Sequence, residues 1–179
     1  MRAFLDACVL VPTALRGILL RMAEAGAFEP VWSERVFEEW KRADLRLHPD
    51  AGGALAVEQA LLRDRWRTSM VHGDATLEAQ IDLPDENDIH VLAAAVTARA
   101  DFLVTANTRD FPQSAMTRFG VGLRHPDAFL LQLFDGRADD VAQAAAMEHD
   151  LAKQATGEEF TKRAFLKRIG LPRVAKALT

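Results

Sequence analysis

The sequence holds a single cysteine, Cys8, and no CxxC pair. One thiol cannot build an internal disulfide framework, and without paired cysteines neither structural zinc nor dithiol redox chemistry has its ligands. The expectation is a protein of the cytoplasm. Long apolar runs are missing too. No stretch approaches the ~18 apolar residues of a membrane span, and the opening "MRAFLDACVLVPTALRG" is broken by Asp6, Pro12 and Arg16, which spoils it as a secretory core. No membrane partner is expected. Excess positive charge is lacking as well: 22 Lys and Arg against 26 Asp and Glu give a net charge of −4, which argues against a general polyanion binder. Internal repeats and low-complexity tracts are absent. What is present is a chain of 179 residues, 49% hydrophobic, enough for one well-packed domain with an appendage or for two small domains. Its charge is uneven. Residues 1–133 carry 14 basic and 19 acidic side chains, residues 134–179 carry 8 and 7, and residues 160–179 hold six basic and no acidic ones, so a polyanion could still be met locally.

The order of patterns predicts alternating strands and helices. "AFLDACVLVP" reads as a short buried strand ending near Asp6, with Pro12 opening a helix that stops at Gly26. "PVWSERVFEEWKRADL" begins β-rich and then offers Ser33 as N-cap of a helix carrying Val36, Phe37 and Trp40. "GALAVEQALLRDRW" is helical, and "LPDENDIHVLAAA" opens a helix over about residues 85–99. "ADFLVTAN" is the continuous apolar run of a strand buried on both faces. An edge strand and a helix follow in "RFGVGLRHPDAFLLQLF". The fold class predicted is α/β, a parallel doubly wound sheet. From residue 134 the pattern turns all-helical, with breaks near Gly157 and at Gly170 to Pro172. The division expected is 1–133 and a helical extension, 134–179.

Four acids stand out by position. At 100° per residue, Asp88 falls in the middle of the stripe made by Val91, Leu92, Ala95 and Val96, whereas Glu86 and His90 fall on the opposite face. Glu86 and His90 are therefore read as surface residues, and N-capping is the plain reading of Asp85, Asn87 and Asp88. On the Ser33 helix, Glu39 lies at the margin of the apolar stripe while Glu38 faces away. Asp6 closes the first strand and Asp110 follows "FLVTAN", so a parallel sheet would bring both to its carboxyl edge, where open α/β folds bind ligands. Singly these are a cap, a turn residue and a solvated flank. Jointly, clustered like charges repel unless a cation neutralises them. An all-oxygen set without Cys suits Mg²⁺ or Mn²⁺, and the matching chemistry is metal-assisted phosphodiester hydrolysis.

"FLDACVLVP", "VWSERVFEEW" and "LPDENDIHVLAAAVTARADFLVTANTRDFP" resemble, in order and spacing, the acidic motifs of PIN-domain ribonucleases, most nearly the VapC-type toxins of toxin–antitoxin pairs. The resemblance covers about residues 1–133. It implies a PIN-like parallel sheet flanked by helices, with Mg²⁺ or Mn²⁺ at Asp6, Glu39, Asp88 and Asp110 for endonucleolytic cleavage of RNA. Thr105 and Asn107 match the polar positions after the fourth strand. Many relatives carry Asp where Asn107 stands, which moves the fourth acid here to Asp110. The implied partners are the RNA substrate, a small DNA-binding antitoxin and a second copy of the chain in a homodimer. The tail resembles the C-terminal helical extension of one subset of these toxins.

Other features have plainer readings. "FTKRAFLKRIGLPRVAK" puts Phe160, Ala164, Phe165 and Ile169 on one face and Lys162, Arg163, Lys167 and Arg168 away from it, an amphipathic helix with a solvated basic face or an RNA-guiding surface. Trp66, among Arg63, Arg65 and Arg67, reads as a core residue beside surface charges. His48, His72, His125 and His149 have no ligand spacing, and Cys8 reads as a small buried side chain. Two alternatives remain beside the nuclease. One is a PIN-like module that binds RNA or protein without cutting it. The other takes "FLDAC" as a phosphatase nucleophile strand, but Cys8 occupies the place of the second aspartate such an enzyme needs.

Overall fold

The computed structural model describes residues 1–49 and 52–178. The chain divides into two compact units, one of residues 1–11 and 29–124, the other of residues 12–28 and 125–179.

The first unit is a five-stranded parallel sheet flanked by helices, in the order β3-β2-β1-β4-β5. Strand β1 (Arg2–Leu5) pairs with β2 (Glu29–Ser33) on one side and β4 (Phe102–Val104) on the other; β3 (Met70–Val71) lies outside β2, and β5 (Gly122–Arg124) outside β4. Ala3, Phe4, Leu5, Leu103 and Val104 have no exposed surface, as expected of strands covered on both faces. The chain runs outward from β1 through β2 to β3, then crosses back to β4 and β5. The strand order thus reverses between β1 and β4, and the carboxyl ends of these two strands form the crevice where open parallel sheets hold ligands.

Helices follow the strands closely. Asp6 caps α1 (Ala7–Leu10) directly after β1. Ser33 caps α3 (Glu34–Leu47), its Oγ accepting from Val36 N at 3.3 Å, and α3 buries Val36, Phe37 and Trp40, as the apolar stripe predicted. Helix α4 (Gly52–Arg65) packs on α3, its Gln59 donating to the Phe37 carbonyl at 2.9 Å. Trp66 follows, half-buried and edge-on to Trp32. The stretch before the acidic motif contains β3 and one turn of helix, α5 (Ala75–Glu78). The helix expected over residues 85–99 is split: Glu86–Asp88 form a 3₁₀ turn and α6 runs Ile89–Thr97. Asp85 is the cause, since its side chain accepts from Asn87 N at 2.9 Å and starts the tighter turn. Helix α7 (Gln113–Phe119) leads into β5.

The second unit is all helical. Helix α2 (Thr13–Glu24) packs on α8 (Pro126–Thr156), with Arg21 bonded to buried Glu148 at 2.9 Å and Phe28 edge-on to Phe129. The sequence boundary at residues 133 and 134 falls inside α8, shortly before its kink at Arg137, which has φ −145° and follows Gly136. Gly157, at φ +68°, ends α8, as its position in the sequence suggested. Helices α9 (Lys162–Arg168) and α10 (Pro172–Ala177) close the chain. The apolar face expected on the tail is corrected in detail. Thr161 caps α9, its Oγ accepting from Ala164 N at 3.2 Å, so Phe160 lies one residue before the cap and stacks on Phe165, a hydrophobic staple. Phe165 and Leu166 are the buried pair, and Ala164 is exposed.

Candidate active site

At the β1–β4 crevice the backbone itself sets the first two side chains. Asp6 N donates to the Val104 carbonyl at 3.2 Å and Thr105 N to the Arg124 carbonyl at 3.0 Å, which extends the strand register by one residue and brings Asp6 beside Thr105. The Thr105 hydroxyl donates to Asp6 Oδ2 at 2.7 Å, and Ala7 N donates to Asp6 Oδ1 at 2.6 Å. Both residues are buried, Asp6 at 6% and Thr105 at 0% exposed. Cys8 completes this anchor. Its Sγ lies 3.1 Å from Asp6 Oδ2 and 3.2 Å from Thr105 Oγ1, and it accepts from Ala106 N at 3.2 Å. Burial first, and the Asp6 charge second, push the Cys8 thiol up to about 12, so it stays protonated. Sequence reasoning treated Cys8 as packing, whereas it ties the ends of two strands together.

The second layer is acidic. Asp85, Asp88 and Asp110 each present a carboxylate oxygen, and the three oxygens lie within 4.8 Å of one another. Asn107 organises them: its side-chain amide donates to Asp110 Oδ2 and, more distantly, at 3.5 Å, to Asp88 Oδ2, while its backbone N–H donates to Thr105 Oγ1 at 3.0 Å. Asp88 is pushed up to about 6, chiefly by burial, then by the charges of Asp6, Asp85 and Asp110, with His90 acting in the opposite direction. That is the like-charge crowding the sequence implied, and Asp6 belongs to the same electrostatic neighbourhood.

Of the expected site residues, Asp88 and Asp110 share the cluster, Asp6 acts on it through its charge, and Thr105 and Asn107 hold these acids in place. Glu39 stands apart from the three-acid group. Its Oε1 is 2.8 Å from Nε2 of His90 and 3.8 Å from Arg35. Two residues were missed. Asp85 does cap the 3₁₀ turn, but a cap one turn before Asp88 also places its carboxylate beside that residue. His90 is only 4% exposed, against the expectation of a surface position. "IHVLAAAV" is apolar around nearly its whole circumference, and His90 through Ala95 are all buried; a wheel that assumes one wet face fails for such a helix. Neither ring nitrogen of His90 makes an aligned hydrogen bond among the described residues, so the Glu39 contact is its polar anchor.

The sequence profile of the PIN domain matches residues 2–109, which takes in β1, Asp6, Asp85, Asp88, Thr105 and Asn107 and stops one residue short of Asp110. This chain belongs to the PIN-domain family. The PIN-domain chain is also 48% identical over 48 residues to a protein of Mycobacterium tuberculosis (strain ATCC 25618 / H37Rv) named "Putative ribonuclease VapC50", a match covering 27% of this chain and 28% of that protein. The chain thus spans little more than a quarter of the curated relative it matches. No solved structure matches it significantly. The donor set of this PIN domain, carboxylate oxygens backed by an amide and a hydroxyl, fits a hard divalent cation, and the raised Asp88 shows why one would be welcome there.

Proposed function

We propose that this chain is a metal-dependent endoribonuclease, the toxin of a type II toxin–antitoxin pair working in the cytoplasm. The observation that carries the proposal is the convergence of Asp85, Asp88 and Asp110 within 4.8 Å at the switch point of the sheet, beside Asp6. Asp6, Asp88 and Asp110 would hold Mg²⁺ or Mn²⁺, with Asp85 beside them and Glu39 as the outlying acid of the set. Such an ion supplies a water of lowered pKa and neutralises charge on the leaving oxygen.

The chain's own residues do the positioning. Thr105 and the Ala7 N–H fix both oxygens of Asp6, so its carboxylate cannot rotate away. Asn107 holds Asp110 and reaches Asp88. Residues 1–133 are assigned to the nuclease and 134–179 to the extension. A small DNA-binding antitoxin and a second copy of the chain complete the proposed assembly. Among the described residues no helix is long and apolar enough to cross a membrane.

Purified protein incubated with a mixed structured RNA pool and Mn²⁺ or Mg²⁺ should yield discrete cuts that disappear with EDTA and with Asp88→Asn. Cleavage that survives both controls would remove the site from the mechanism. Metal binding with no turnover would favour the PIN-like module that binds without cutting.

A further inference from the structure

A recess of about 820 Å³ opens beside the acidic cluster, lined by Glu39, Arg42, Leu45, Arg46 and Asn87. Its far wall, Asn87, donates through its side chain to Asp85 Oδ1 at 2.9 Å, so the recess adjoins the carboxylates directly. Its near wall is one face of α3. Arg42 and Arg46 stand one helical turn apart, both exposed, and Arg46 Nε donates to the Arg42 carbonyl at 3.3 Å. The other arginines of this helix region are committed: Arg35 pairs with Glu39, and Arg63 of α4 pairs with Glu34. Among the described residues Arg42 and Arg46 have no acidic partner. Leu45, 38% exposed, lines the same recess and gives it an apolar surface.

Two exposed guanidiniums without an acidic partner place positive charge beside the acidic cluster, in a unit with excess negative charge. Resting on the nuclease reading, we propose that Arg42 and Arg46 form a phosphate-binding shelf. They would grip a backbone phosphate of single-stranded RNA next to the one being cut, while the sugar or base lies over Leu45. Guanidinium forks match phosphate oxygens in pairs, and bonds to a flanking phosphate serve binding and register without carrying sequence information. The shelf accounts for how a chain of net charge −4 holds a polyanion: the positive charge is placed where the strand passes, not spread over the surface.

The test uses the full chain and a fluorescein-labelled single-stranded RNA of mixed sequence. Affinity is measured in the Asp88→Asn background, which separates binding from cutting, and kcat and KM are measured in the cleaving protein with Mn²⁺. Replacing both arginines, R42Q with R46Q, should raise Kd and KM about tenfold and make the dependence of log affinity on log salt shallower by about 0.7 for each phosphate no longer gripped. The value of kcat should stay close to that of the parent. Lys41→Gln is the control: it removes a charge from the same helix but faces a different recess, lined by Glu38, Leu55 and Gln59, and should leave Kd, KM and slope unchanged. If the parent cleaves RNA and the double variant matches Lys41→Gln, the shelf is overturned while the nuclease reading stands. If the parent binds RNA through the two arginines but never cleaves it, the nuclease reading fails and the shelf survives. Loss of an acidic peptide's binding with RNA binding intact would assign the shelf to a protein partner and overturn the proposal.

Discussion

Asp88 shows how a single side chain records the stress of its site. Its carboxyl is pushed up to about 6 by burial and by three neighbouring acids, whereas in the unfolded chain it titrates near the ordinary aspartate value of about 3.9. The folded state therefore binds the Asp88 proton more tightly than the unfolded state does. Below pH ~4 the group is protonated in both states and contributes its full relative stability; as pH rises from ~4 through ~6 that stability is lost. In EDTA, Asp88→Asn should be more stable than the parent at pH 7 by on the order of 1 kcal/mol, after allowing for solvent screening of a partly exposed site. The difference should close towards pH 4. Urea unfolding at several pH values checks this, and a variant less stable than the parent at pH 7 would show that the site carries no electrostatic strain. At the same scale, the sequence showed Asp88 and Asp110 because both depend on period and strand order. It hid His90, because burial around a whole helix is set by the strands packed against it, and it hid the role of Cys8, because that depends on the β1–β4 register.

Elements were legible where a local signal fixed them. Ser33 before an apolar-periodic run gave α3 its start, and Gly157 gave α8 its end. The split between the 3₁₀ turn and α6 was not visible, since Asp85 competes with the helix through its own side chain. The start of α9 was displaced for a similar reason: Thr161 took the cap, and the apolar residue before it became a staple. The short helix α10 depends on a distant residue that no local pattern marks. Asp127, 4% exposed on α8, accepts from Arg173 N and Val174 N, with Oδ1 bonded to both at 3.1 and 3.0 Å. These donors belong to the first turn of a helix whose own cap residue, Leu171, offers no side-chain acceptor. Asp127→Ala leaves them unsatisfied and should cost about 1–3 kcal/mol, read as a lowered midpoint in thermal or urea unfolding. Asp127→Asn, which keeps one acceptor, should recover part of the loss. Equal stability of all three proteins would mean that α10 is held by its apolar packing alone.

For the whole molecule, the acidic cluster makes stability a function of the ion it binds. Anything that binds the folded chain and not the unfolded one stabilises it by mass action, about 2.7 kcal/mol at a ligand concentration one hundred times Kd. Asp85, Asp88 and Asp110 are brought together by the 3₁₀ turn and by the loop after β4, and the unfolded chain has no comparable site. Mn²⁺ or Mg²⁺ should therefore raise the unfolding midpoint in a saturable way, and an equal ionic strength of NaCl should not. The gain should shrink as pH falls below ~6, because Asp88 must lose its proton before it can act as a ligand. Asp88→Asn should begin from a higher metal-free midpoint and respond less to the ion. These two shifts have opposite signs and one cause: the charge that strains the empty cluster is the charge that holds the cation. A midpoint that ignores Mn²⁺ across pH 5 to 8, in both proteins, would show that the three carboxylates do not form a metal site.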